Sequence, residues 1–192
     1  RHFRKAQHPQ MESDEVFAIA GRGEEIWFGT YGGGLYGLDD KARLQRFLPE
    51  LDNPRSVPAA SIPFLATLPD GTLWVGTKHG VARWTGTDFE RIDADALPSQ
   101  LVNGLTAEPD GSLWISTVAG ATVRRPDGHF EAPQWQLPAG DEVLGMMLRD
   151  EQGGHWLDTR SGLGRAVNGQ YQTVPLCRAG ARGQVGPNWG GA

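Results

Sequence analysis

The sequence predicts an all-β fold made of about four four-stranded antiparallel blades of a β-propeller. Three observations point there. A Trp-x-x-Thr-x-x-Gly pattern recurs four times, as Trp27/Thr30/Gly33, Trp74/Thr77/Gly80, Trp114/Thr117/Gly120 and Trp156/Thr159/Gly162. The tryptophans are 47, 40 and 42 residues apart, the spacing of blade-sized units. The chain also holds 27 glycines and 13 prolines in 192 residues, and helix-friendly stretches are scarce, so many short strands joined by tight turns are favoured.

Taken in order, residues 1–8 read as the last strand of a preceding blade, with Phe3 to Ala6 as the strand itself. Residues 9–57 hold the blade with Trp27, 58–98 that with Trp74, 99–140 that with Trp114 and 141–178 that with Trp156. Residues 179–192 are a Gly-rich tail or the start of a next blade. The second unit shows the strand pattern best. Ile62 to Leu68 is an apolar run, Asp70-Gly71 turns the chain, and Thr72 to Thr77 carries Trp74. After Lys78-His79-Gly80, Val81 to Trp84 and Asp88 to Ile92 form two more strands. Asp70-Gly71, Asp110-Gly111 and Gly153-Gly154 are expected to close two-residue hairpins before three of the tryptophans, with Gly21-Arg22-Gly23-Glu24 in the first copy. Pro126-Asp127-Gly128 and Asn168-Gly169 mark later hairpins. A four-stranded sheet cannot cover both of its own faces. The repeated Trp is a large apolar plate suited to contact between blades, so Trp, Thr and Gly are read as architecture.

Composition narrows the function. A net charge of −5 argues against a nucleic-acid surface. The single cysteine, Cys177, cannot form an internal disulfide and reads as a packing residue. No run of eighteen apolar residues occurs, so this segment is expected to make no membrane contact. No signal peptide is visible, but the chain does not open on Met, and that absence says nothing of a parent protein.

The stretch Asp70-Gly71-Thr72-Leu73-Trp74-Val75-Gly76-Thr77-Lys78-His79-Gly80-Val81 resembles the two-component regulator propeller repeat, as does Trp27 to Tyr36. Asp52-Asn53-Pro54-Arg55-Ser56-Val57 resembles that family's inter-blade linker. Ser116 and Asp158 depart from it, standing where the repeat has Gly. The resemblance implies a larger, seven-bladed ring, which at about 42 residues per blade needs about 300 residues. It further implies a periplasmic sensor segment whose parent is anchored in the inner membrane, with a β-sandwich downstream. A histidine kinase, diguanylate cyclase or DNA-binding output would lie elsewhere in the parent. The expected partners are an unidentified small molecule or glycan, the remaining blades and that sandwich, or a second copy covering open edges.

Ligands of propellers usually meet the loops around one mouth of the central channel. Here those loops are Tyr31-Gly32, Lys78-His79, Val118-Ala119 and Arg160-Ser161, with Asn53 to Ser61, Ser99-Gln100 and Gly140 to Glu142 leading into each innermost strand. Tyr31, Lys78, His79, Arg160 and Ser161 are the candidate binding residues: the cations would suit an anionic ligand, and Tyr31 would stack on a sugar ring. No catalytic residue, metal or cofactor is expected. A propeller lyase of the streptogramin-lyase type is the enzymatic alternative, but it needs a His and a carboxylate meeting near the channel. Of His2, His8, His79, His129 and His155, only His79 falls on the expected ligand face. One Asp per hairpin is too few oxygens for calcium. A protein-interaction platform is the third reading.

Overall fold

The computed structural model describes residues 5, 6 and 8–174. They form four separate four-stranded antiparallel sheets. Blade I holds β1 (Val16–Arg22), β2 (Glu25–Thr30), β3 (Leu35–Leu38) and β4 (Leu44–Phe47). Blade II holds β5 (Phe64–Thr67), β6 (Leu73–Thr77), β7 (Gly80–Trp84) and β8 (Phe89–Arg91). Blade III holds β9 (Val102–Ala107), β10 (Leu113–Thr117), β11 (Gly120–Arg124) and β12 (Phe130–Glu131). Blade IV holds β13 (Val143–Arg149), β14 (His155–Thr159), β15 (Gly162–Val167) and β16 (Gln170–Thr173). In every sheet the strands lie side by side in chain order. Strand β1 lies against β5, β5 against β9 and β9 against β13, so the first strand of each blade is the innermost. This is propeller architecture. The strand expected at Phe3 to Ala6 lies mostly outside the described residues, and Lys5 and Ala6 form a turn. The tail 179–192 and Cys177 also lie outside them.

A tryptophan near the start of the second strand plugs the seam to the next blade in blades I, II and III. Trp27 is 4 %, Trp74 1 % and Trp114 7 % exposed. Each packs with residues of the following blade: Trp27 with Leu73, Val75 and Ala82, Trp74 with Leu105 and Ile115, and Trp114 with Met147 and Leu157. The Thr of the repeat has one job in all four blades. Its hydroxyl donates to a glycine carbonyl across the β-hairpin: Thr30 to Gly34 (2.9 Å), Thr77 to Gly80 (3.0 Å), Thr117 to Gly120 (2.9 Å) and Thr159 to Gly162 (2.9 Å). In blade I the acceptor is Gly34, one residue beyond Gly33, because that loop is one residue longer. Gly34 has φ +96°, matching the positive φ of Gly80, Gly120 and Gly162, a backbone only glycine adopts without strain.

The turns before the tryptophans differ from expectation. Leu68 donates its N–H to Thr72 O, and Gly71 donates to Leu68 O, so Pro69-Asp70-Gly71 is a three-residue loop. Glu108–Ser112 and Asp150–Gly154 close the same way. An Asp accepting the amide two residues on, followed by a glycine at positive φ, favours a type I turn ending in a bulge over a two-residue hairpin. Asn168 and Gly169, at φ 51° and 75°, do form the two-residue turn.

One repeated feature has no period in the sequence. Each segment entering a blade inserts an apolar side chain into a seam or sheet face: Met11 (1 % exposed), Val57 (0 %), Leu97 (6 %) and Trp135 (8 %). The linker before blade II also pairs with the outer strand of that blade, through Phe89 N–H to Arg55 O (3.1 Å). Arg91 reinforces it by donating to Ser56 O, Ser56 Oγ and Val57 O. A strand edge that would otherwise template pairing with another chain is thereby covered.

Candidate functional site

The β2–β3, β6–β7, β10–β11 and β14–β15 hairpins meet the segments that enter the innermost strands, so both loop sets share one face. Tyr31 N–H donates to Glu15 O, Gly80 N–H to Gln100 O, Val118 N–H to Leu101 O and Arg160 N–H to Glu142 O. This is the face on which the sequence reading places the mouth of the channel.

The five candidate residues stand in different surroundings. Tyr31 is 60 % exposed, and its ring lies 5.5 Å from that of Phe17, itself 53 % exposed. Phe17 was not among the sequence candidates, and only the pairing of β1 with β2 places it there. Lys78 Nζ donates to Asn103 Oδ1 on blade III (2.7 Å) and sits 5.9 Å above the Phe64 ring. Arg160 pairs with Glu142 through Nε (3.1 Å) and Nη2 (2.5 Å). Ser161 N–H donates to Asp141 Oδ1 (3.0 Å), and the Thr159 hydroxyl, shared with Gly162 O, lies 3.1 Å from Asp141 Oδ2. Hydrogen bonds from the Ser161 and Glu142 backbone N–H groups hold the Asp141 carboxyl below the usual range, although partial burial opposes them. Two of the three cations therefore tie protein segments together. His79 is exposed, and its ring has no partner among the described residues.

His79 opens onto a cavity of about 700 Å³, which lies over the outer half of blade II. Its walls are the linker at Pro54, Arg55 and Pro58, strand β8, and Gln100 of the next linker. Ile92 contributes apolar surface above the buried Val81 and Phe89. The cavity thus touches the connections to both neighbouring blades. Its volume and mixed lining are those of small-molecule sites. Structure does not bring His79 together with Tyr31 or Arg160: neither lines this cavity. Among the described residues no group of three His, Cys, Asp or Glu could hold a metal ion.

His155 and His129 also have defined places. His155 Nε2 lies 3.1 Å from Glu108 Oε1 in the seam between blades III and IV, remote from the mouth loops in the register of β14. His129 flanks the exposed Pro126-Asp127-Gly128 turn, where its N–H donates to Asp127 Oδ1.

No family model matches the chain, and no curated protein matches it. Solved structures do share its fold. Two extracellular domains of candidate hybrid two-component systems of B. thetaiotaomicron superpose with TM-scores of 0.66, at 20 % and 23 % identity. The alignments cover 83 % and 85 % of this chain but 23 % and 22 % of those domains, so the chain spans less than a quarter of their length. Virginiamycin B lyase of Staphylococcus aureus superposes with a TM-score of 0.62 at 16 % identity, over 85 % of this chain and 57 % of that one. At these identities the likeness is one of fold, and the described residues are a run of four β-propeller blades that shares its architecture with those extracellular domains and with a lyase.

Proposed function

We propose that this chain is a non-catalytic, ligand-sensing propeller segment that acts outside the cytoplasm, in the periplasm, as part of a receptor anchored in the inner membrane. The observation that carries the reading is the cavity over blade II, lined by His79 of a mouth loop and walled by two inter-blade linkers. A ligand held there touches the joints between blades. It shifts their arrangement only as far as it binds one arrangement better than another. The repeat of Trp, Thr and Gly supplies a stiff frame, while the mouth loops change from blade to blade, as befits recognition on a fixed scaffold. The likeness of fold to extracellular domains of candidate hybrid two-component systems supports this reading. The kinase or cyclase output, the remaining blades, the downstream sandwich and a second copy as edge partner belong to the same proposal.

The test is a thermal-shift and calorimetry screen of the chain against sugars, organic acids and amino acids, repeated with His79→Ala and with Tyr31→Ala. At least one class should raise the melting temperature, and one of these variants should weaken binding by about tenfold, the loss of one good contact. Tight binding of no compound, or binding indifferent to both variants, would count against the reading. The lyase neighbour supports a second reading, in which the same fold turns over its ligand. Product formation on incubation with a cyclic depsipeptide lactone would establish it.

A further inference from the structure

The cavity over blade II has a surplus of unsatisfied donors, and this decides what it holds. Two of its carboxylates are already neutralised within the protein. Asp88 pairs with Arg55 (2.7 Å), and Glu90 pairs with Arg83 (2.5 Å). Thr85 first and Arg55 next hold the Asp88 carboxyl below its usual range, so it stays a committed anion. Arg91 is different. Its Nε and Nη2 hold the linker at Ser56 and Val57, and among the described residues it has no carboxylate partner and its Nη1 no acceptor. Among the described residues the His79 ring also has no partner, and the Gln100 Nε2 amide is buried without one, so that it meets a ligand only by turning its side chain outward. One carboxylate of the lining, Asp93, pairs with no cation among the described residues and offsets the charge of Arg91. What remains is a set of donors at Arg91, His79 and Gln100 beside apolar surface from Ile92 and Pro58.

We propose that this cavity binds a small carboxylic acid with an apolar body. The carboxylate takes the donors of Arg91, His79 and Gln100, and the body lies against Ile92 and Pro58. This deepens the sensing reading and rests on it. It also gives that reading a handle. Arg91 holds one linker and Gln100 belongs to the next, so a carboxylate spanning them ties the blade I–II joint to the blade II–III joint.

The experiment titrates the chain with straight-chain acids from acetate to octanoate, with benzoate and with phenylacetate, each against its primary amide, by calorimetry and amide chemical-shift mapping. The acids should bind, the longer or aromatic ones more tightly, and the matched amides at least about tenfold more weakly. Shifts should cluster on residues 54–58, 79–81 and 91–100. Gln100→Glu should weaken the acid about tenfold or more, and Asp93→Asn should tighten it severalfold, since both change charge at near-constant shape. Equal binding of acid and amide, no binding by any acid, or indifference to both variants would overturn the proposal. Should a compound from the wider screen shift Phe17 and Tyr31 instead, the sensing reading stands and this placement falls. Far-ultraviolet dichroism of each variant shows that the fold is kept.

Discussion

The seam between blades I and II and the seam between blades III and IV are built from the same repeat by different means. The first is aromatic. Trp27 stacks at 5.4 Å on Phe47, and Trp84 and Phe89 close the cluster at 5.2 Å from Trp27 and 5.3 Å from Phe47. The second is polar around its Trp. Asn103, Thr106 and Ser116 of blade III donate to the carbonyls of Val143 (3.0 Å), Met147 (2.6 Å) and Gly145 (2.8 Å) on the innermost strand of blade IV. Glu108, 5 % exposed, crosses the seam to Arg149 and His155, both at 3.1 Å. The His155 ring lies 4.4 Å from that of Trp114. Aromatic burial is strong but indifferent to register, whereas hydrogen bonds are directional. The first seam thus supplies adhesion, and the second also fixes which residues face each other.

A single position shows how this division is made. In blades I and II it is Gly29 and Gly76. A Cβ on Gly29 would collide with the carbonyl oxygen of Ile62, and one on Gly76 would come to 3.0 Å from Leu105. Blade III has Ser116 there, and the facing residue of blade IV is Gly145. Bulk lost on one side is gained on the other, and the serine hydroxyl satisfies a carbonyl that the close approach leaves exposed to it. Blade IV carries Asp158, which is exposed beside Leu144 and Leu148, 45 % and 69 % exposed on the same strand pair.

The comparison can be broken most forcefully at Trp27. Trp27→Ala should cost roughly 3–5 kcal/mol by removing the centre of the aromatic seam. Trp156→Ala, on a less buried face, should cost clearly less, and urea unfolding of both variants makes the measurement. Gly29→Ser imports the blade III solution into a seam without the matching glycine. It should destabilise by about 1–3 kcal/mol through overpacking, while Ser116→Gly loses only one hydrogen bond, about 1 kcal/mol. Similar losses for the two would mean that the seams are interchangeable. Glu108→Ala leaves His155 and Arg149 without their shared carboxylate and should cost about 1–3 kcal/mol, seen as a lower urea midpoint. The smallest effect is at Asp150, whose carboxyl is pulled down to about 2 from the ordinary 3.8, first by its hydrogen bond from Arg165. Because the folded value is the lower one, its contribution is complete above the ordinary value and fades as pH falls towards 2. Asp150→Asn should lower stability across the neutral range and flatten its loss in that acid window, so that the two proteins converge towards pH 2. A melting-temperature series against pH reads it.

The same contrast separates what was legible from what was not. Trp74, Thr77 and Gly80 announce a blade because each acts within its own hairpin or at a fixed offset from it. Met11, Val57, Leu97 and Trp135 perform one repeated task, yet the segments that carry them differ in length and composition, so no period exposes them. Lys78 and Arg160 looked like free cations because Asn103, a whole blade further on, and Glu142, at the end of the preceding linker, are distant in sequence. His79 on the mouth loop was legible. The cavity beside it was not, since its walls come from two linkers and an outer strand. Phe17 was hidden in an apolar run until the pairing of β1 set which way it sits.

By itself, then, the sequence determined the repeating unit, the four blades and the places of the turns, though not the type of those before the tryptophans, because Trp spacing and turn residues are short-range properties carried by a few residue types. Tertiary structure decided how each seam is filled, which charges are spent on holding blades together and where a cavity stays open. Those outcomes depend on both faces of a seam at once, and the packing of Ser116 against Gly145 has no meaning on either strand alone.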